Sequence, residues 1–405
     1  MMSKKRLEIY VHIPFCVRKC SYCDFLSFSG TVRMQKEYAL QLIQEIKEQG
    51  KRLEDYQVVS VFLGGGTPSI LGVEEIRGIM EALWSSFQIL SDAEITLEAN
   101  PGTIRTENLK VYRELGINRI SIGLQSADDR ELSYLGRIHT YDEFLKTYQR
   151  VRMAGFDNVN VDLISAIPGQ TLESWKATLK KVAMLKPEHI SAYSLIVEEG
   201  TPFYARYGSH VEMKEYHMTP EQMRTLMALP DLPDEDTERD MYYLTQSYLA
   251  KQGYERYEIS NYARPGKECR HNVGYWTGIE YLGVGLGSSS YLGGCRFHNT
   301  ADYRSYIEAR LDRPEVFQNI LRQDMEQLIV KSQMEEFMFL GLRLTQGVSA
   351  QEFISRFGQS IRMVYGPVVD MLSEQGLLEF KGGYYRLTSR GLDLSNYAMS
   401  QFLLD

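Results

Sequence analysis

Three of the chain's five cysteines fall within eight positions, in CVRKCSYC at residues 16–23. Cys16, Cys20 and Cys23 have the spacing CxxxCxxC. Thiolates grouped this way hold iron-sulfur clusters, normally four of them for a four-iron cluster. Only three are local here. Unless a distant cysteine completes the set, one iron keeps an open coordination position, and an open position on a redox metal is a place for chemistry rather than for structural support. A structural zinc site would want a fourth Cys or His, commonly in a second CxxC pair, and none follows within the next hundred residues. A disulfide fits neither the odd cysteine total nor a start without a secretory signal.

The elements that must position these thiols are strands alternating with helices. EIYVHI (8–13) is a short strand that delivers the chain into the cysteine loop, and helical periodicity follows from Met34 to Gln49. QVVSVFL (57–63) is a nearly continuous apolar strand of the kind buried in parallel sheets. It runs into GGGTPS and then a helix over Val73–Phe87. AEITLEA (93–99), NRISIGL (118–124), NVNVDLI (158–164) and HISAYSLI (189–196) continue the rhythm. Six such units make a parallel α/β array, either a partial barrel or a doubly wound sheet. Both architectures gather function at the C-terminal strand ends. There the sequence places the cysteines, GGGT, Glu98, Gln125 and Asp162. Any one of these could be an ordinary turn or cap residue; five strand ends together are harder to dismiss. The glycines of GGGTPS suit a close backbone approach to a ligand, or simply a strand-to-helix turn with Pro68 near its first helical position.

At 405 residues the chain predicts two or three domains, at about 100–200 residues each. Its 43% hydrophobic and 24% charged content is that of a globular protein. No run approaches the roughly 20 apolar residues of a membrane span, so a soluble, cytoplasmic protein is expected. A net charge of −8 argues against bulk attraction to nucleic acid or anionic membrane. Beyond residue 205 the pattern changes. LPDLPDEDTERD (229–240) is a charged, proline-containing linker, and YERYEISNYARPG gives a strand and a turn. HNVGYW (271–276) follows, then GVGLGSSSYLGG, a loop or hairpin expected to line the site. From Met334, two helical stretches, a glycine-bounded EFKGGYYRLT hairpin and a last helix have a winged-helix shape.

YVHIPFCVRKCSYCDF, GGGTPS, LEANPGT, NRISIGLQS, LGRIH, VDLISAIPGQ and HNVGYW together resemble, in order and over nearly the whole chain, the HemN-like group of radical S-adenosylmethionine (SAM) proteins. These are the relatives of oxygen-independent coproporphyrinogen III dehydrogenase. The resemblance implies an α/β fold: a radical SAM partial (β/α)6 barrel over 1–210, a connecting region over 211–330 and a winged-helix-like α+β domain over 331–405. It implies a [4Fe-4S] cluster on Cys16, Cys20 and Cys23, and SAM held by Tyr10, Gly65, Gly66, Thr67, Glu98, Gln125, Arg137 and Asp162, with Tyr22 beside the cofactor. The cluster would cleave the SAM sulfonium with one electron, drawn from a donor such as flavodoxin or ferredoxin.

Two departures separate the chain from the coproporphyrinogen enzymes. Phe25 stands where those have a fourth cysteine, and the first strand begins by residue 8, without their N-terminal extension. Both point toward the haem-chaperone branch of the group, which passes haem to acceptor haemoproteins, membrane-associated respiratory ones among them. HNVGYW matches that branch's HNxxYW motif. His271 supplies an imidazole able to ligate haem iron, although a histidine among aromatics is more often a hydrogen-bonded structural residue. Cys269 is an alternative ligand, Cys295 and His298 read as core or loop residues, and Tyr275 and Trp276 could pack on a porphyrin face. The winged-helix shape raises DNA binding. Residues 335–395, however, hold six Lys or Arg against seven Asp or Glu, too few cations for a phosphate-binding face.

Overall fold

The computed structural model describes residues 4–208, 218–313 and 321–404. Six parallel strands lie side by side in chain order: β1 (Lys5–Ile13), β2 (Tyr56–Gly65), β3 (Ile89–Ala99), β4 (Arg119–Gln125), β5 (Val159–Ser165) and β6 (His189–Ser194). With no reversal of order, right-handed crossovers put every connecting helix on one side of the sheet. A doubly wound sheet would reverse at a switch point. The arrangement is therefore the partial barrel, and it is open, because β1 and β6 each pair with other strands at their outer edges.

The inner and outer faces follow from alternation along each strand. Leu7, Ile9, Val11 and Ile13 of β1, and Val61 and Leu63 of β2, are fully buried on the helix side. The intervening residues, Glu8, Tyr10 and His12, lie opposite Ser60, Phe62 and Gly64. Strands buried on both faces usually read as unbroken apolar runs. The polar inner set is therefore a departure, with a cost that hydrogen bonds must offset.

Both sheet edges are extended. Beside β6, β7 (Glu255–Arg256) and β8 (Asn261–Ala263) add an antiparallel pair, so YERYEISNYARPG holds two short strands rather than one. Beside β1, β9 (Glu280–Val284) runs parallel and leads antiparallel into β10 (Ser289–Leu292), β11 (Cys295–Asn299) and β12 (Arg322–Gln327). GVGLGSSSYLGG thus forms a hairpin, but as sheet extension. It lies behind β1, where Gly285 N–H donates to the buried Glu45 carboxylate at 2.9 Å, and it does not line the site. The expected linker is shorter than its composition implied: Asp234 caps a helix over Glu235–Lys251, so its acidic run is the first helical turn. The expected boundary near 210 lies outside the described residues.

The C-terminal part has its own core, including Met338, Leu342, Phe353, Leu372 and Phe402. Three helices precede its hairpin, Val330–Gly341, Ala350–Phe357 and Ile361–Glu374, one more than the periodicity showed. The hairpin, β14 (Leu378–Lys381) and β15 (Tyr384–Leu387), carries β13 (Val348–Ser349) on its free edge. Among the described residues no helix is long and apolar enough to cross a membrane.

Candidate functional site

The cysteine loop is closed on itself and then tied to its neighbours. Cys16 N–H donates to Phe28 C=O at 3.0 Å and Phe28 N–H to Pro14 C=O at 2.8 Å, so the chain returns to where β1 ended. Ser21 N–H reaches Leu135 C=O at 3.1 Å, and Arg18 Nη2 reaches Gly136 C=O at 2.7 Å, which fixes the loop to the LGRIH turn. His12, on the inner face, lies 2.9 Å from Leu26 C=O through Nε2 and 3.2 Å from Tyr10 Oη through Nδ1. It therefore links the strand to the far end of the loop.

The second strand end is stitched to the first. Gly66 N–H donates to Ile13 C=O and Thr67 N–H to Phe15 C=O, each at 2.8 Å. A Cβ on Gly66 would sit 2.6 Å from Phe15 O, so the close approach requires glycine here. Gly65 N–H is taken by Glu98 Oε2 at 3.1 Å. Pro68 opens a short 3₁₀ turn, Pro68–Ile70, before the main helix over Val73–Ser86 begins.

The third, fourth and fifth strand ends complete one cleft of about 470 Å³. Cys16, Cys20, Cys23, Tyr22, Gly65, Gly66, Thr67, Glu98, Gln125, Arg137 and Asp162 all line it. Gln125 follows a register shift in β4 and holds a left-handed φ of 72°. A bulge of this kind re-aims a side chain at a strand end. Burial raises the Glu98 carboxyl to about 8, helped by the neighbouring Asp162 charge. Burial also raises Asp162, against hydrogen bonds from Asn160 at 2.7 Å and Ser121 at 3.0 Å. Two carboxyl groups held in a cleft among amides suit hydroxyl and ammonium donors. Among the described residues no three His, Cys, Asp or Glu side chains converge on a point that could hold a single metal ion. Cys16, Cys20 and Cys23 line the same cleft, and in a four-iron cluster each thiolate serves its own iron rather than one shared ion.

Two of the expected residues lie outside the cleft lining. Tyr10 is one layer beneath it, its ring 6.2 Å from that of Phe62. His271 is deeper, on a helix over Arg270–Thr277 that plugs the base of the barrel. Its Nδ1 lies 2.8 Å from Ser60 Oγ, its Nε2 lies 3.0 Å from Tyr275 Oη, and its ring stacks on Phe62 at 5.1 Å. Burial, with Arg119 nearby, lowers its basicity to a pKa of about 3. Cys269 is buried beside it, Sγ 3.4 Å from Glu94 Oε1, and burial pushes its thiol up. Cys295 lies on β11 and His298 pairs with Asp324 at 2.8 Å. No fourth cysteine lines the cleft. Phe25 is 63% exposed at the mouth, together with Val17, Ile138 and Ile196.

The sequence reading missed Asn100, Ser121 and Tyr193, which also line the cleft. Asn100 had a signal: it is the first polar residue after the buried β3, inside LEANPGT.

Comparison with known proteins accords with this geometry. Residues 10–182 match the radical SAM superfamily and residues 330–394 the HemN C-terminal domain. The fold superimposes on coproporphyrinogen III oxidase (HemN) from Escherichia coli with a TM-score of 0.80, covering 99% of this chain and 90% of that one at 23% identity. The heme chaperone HemW of Lactococcus lactis is 36% identical over 100% of this chain and 99% of its own. That of Bacillus subtilis is 33% identical over 97% and 98%, and that of Escherichia coli 31% identical over the full length of both. Identity sustained from the cysteine loop to the C-terminal domain places the chain in the heme chaperone HemW family of radical SAM proteins.

Proposed function

We propose that the chain binds a [4Fe-4S] cluster and SAM in the strand-end cleft, and that it carries haem to acceptor haemoproteins. The observation that carries the first part is the placement of the five cysteines. Three line one cleft together with Glu98, Gln125, Arg137 and Asp162, while Cys269 and Cys295 are held elsewhere by the fold. Cys16, Cys20 and Cys23 would hold the cluster and leave one iron open. When bound, that cluster supplies one-electron cleavage of the SAM sulfonium, and the protein contributes placement, cluster potential and exclusion of water.

The chain's own residues divide the remaining tasks. Glu98, Gln125 and Asp162 offer acceptors for ribose hydroxyls and an ammonium, Arg137 suits a carboxylate, and Tyr22 packs against Phe203 at the side of the cleft. Tyr10 lies outside the cleft lining and, through His12, braces β1 against the far end of the cysteine loop. The exposed mouth leaves access for an electron donor of flavodoxin or ferredoxin type. The free state of every cysteine accords with a cytoplasmic setting.

For haem, the relatives' name supports a carrier, and His271 is the candidate axial ligand. In the closed arrangement both its nitrogens are engaged, so ligation requires the Arg270–Thr277 helix to swing out of the barrel base. Haem uptake through His271 should therefore be slow, and Tyr275→Phe, which frees Nε2, should speed it. Haem titration under anaerobic conditions tests the assignment. His271→Ala should lose the Soret shift seen with the wild type, and identical spectra would remove His271 from the haem site.

A further inference from the structure

We propose that Asn100 and Arg137 are positioning residues that raise the reduction potential of the cluster, through a single hydrogen-bonded bridge running from Cys20 to Cys16. The inference rests on the reading that these cysteines hold a four-iron cluster. Arg137 Nη1 lies 3.7 Å from Cys20 Sγ, while Nη2 donates to Asn100 Oδ1 and to Gly123 C=O, both at 2.6 Å. Arginine only donates, so the amide oxygen of Asn100 must face it. The amide nitrogen of Asn100 is thereby turned toward Thr67 and donates to Oγ1 at 2.7 Å. Thr67 Oγ1 in turn lies 3.5 Å from Cys16 Sγ. A thiolate has no proton to donate, so with Cys16 on iron the Thr67 hydroxyl is the donor of this contact.

Every link in the bridge therefore directs a donor toward a thiolate, and the guanidinium charge stands behind one end of it. Space is reserved for the arrangement. A Cβ on Gly123 would meet Asn100 Oδ1 at 3.0 Å and Arg137 Nη2 at 3.3 Å, so glycine in β4 lets Arg137 cross to Asn100. The guanidinium Nε is buried without a partner, a cost that the three bonds of its other nitrogens offset. Cys23 lies outside the bridge and accepts instead from the backbone amide of Phe25. Hydrogen bonds to cluster sulfurs and a nearby positive charge stabilise the more negative, reduced state, and so raise the potential. This role is separate from any contact of Arg137 with the SAM carboxylate, because it operates with no SAM present.

The test is a redox titration, followed by electron paramagnetic resonance, of anaerobically reconstituted full-length protein without SAM. Iron and sulfide content are measured on the same samples. Arg137→Gln, which keeps an amide donor but removes the charge, should make reduction at least tenfold less favourable, ~59 mV for one electron. Asn100→Leu should act in the same direction. Thr67→Val, which removes the Cys16 donor and the acceptor of Asn100 but leaves Arg137 on Cys20, should give a smaller shift of the same sign, and Arg137→Lys should restore part of the potential. Full iron content with an unchanged potential in both Arg137→Gln and Asn100→Leu would overturn the proposal, as would loss of cluster content with the surviving cluster at the wild-type potential. Failure of the wild type itself to assemble a cluster would instead overturn the underlying site reading.

Discussion

Cys20 stands at the meeting point of the loop, the Arg137 bridge and the cleft, and its replacement should be decisive. In Cys20→Ala, anaerobic reconstitution should yield neither four-iron absorption nor the reduced-state spin signal, with the fold retained because the loop is held mainly by backbone bonds. A full cluster in that variant would remove these cysteines from the metal site. Glu98 gives a prediction of a different kind. Its carboxyl is raised to about 8 by burial and by Asp162, so the folded state binds a proton that the unfolded chain has released. Stability from this group is complete below the ordinary carboxylate pKa and is lost as pH rises through about 8. The protein without cofactor should therefore unfold more readily at pH 8.5 than at pH 6, and Glu98→Gln should flatten that difference in denaturant titrations. An unchanged slope in the variant would assign the pH dependence elsewhere. The thiols and Glu98 could be read from sequence because each lies at a strand end. Asn100 had only its position after β3 as a signal, and its role could not be read, because its partners, Thr67 and Arg137, come from the segments that follow β2 and β4 and only the fold brings them together.

At the scale of elements, the close approach of two strand ends is the most sensitive point. A methyl group on Gly66 meets backbone rather than a movable side chain, and relief requires the ends of β1 and β2 to separate. Gly66→Ala should cost about 1–3 kcal/mol of stability and lower cluster occupancy, measured by chemical denaturation and iron content. Wild-type values for both would show that the strands have slack. The strand-helix rhythm was legible because parallel strands and amphipathic helices leave distinct periodicities. The HNVGYW helix was not. His271 and Tyr275 are spaced i, i+4, as a helix demands, but a short motif with glycine inside gives little periodicity, and nothing local shows that it turns inward to fill the barrel base. The GVGLGSSSYLGG hairpin was misplaced for a related reason: glycine and serine mark a turn without saying which sheet edge receives it.

For the whole molecule, the barrel and the C-terminal domain meet around the HNxxYW helix. Arg343 lies over the Trp276 ring at 4.3 Å, Arg356 donates to Gly278 C=O at 2.9 Å, and Glu258 bridges to Leu344. The element that carries His271 is thus clamped between the two cores, so that, on the proposed haem role of His271, loosening these contacts should speed haem uptake. The fold alone is shared with a coproporphyrinogen oxidase, and fold does not decide chemistry. The most direct measurement is an anaerobic incubation of the reconstituted protein with SAM, a reductant and either coproporphyrinogen III or haem plus an apo-haemoprotein. The account predicts haem transfer to the acceptor and no vinyl product from coproporphyrinogen, whereas protoporphyrinogen IX formed at catalytic turnover would contradict it.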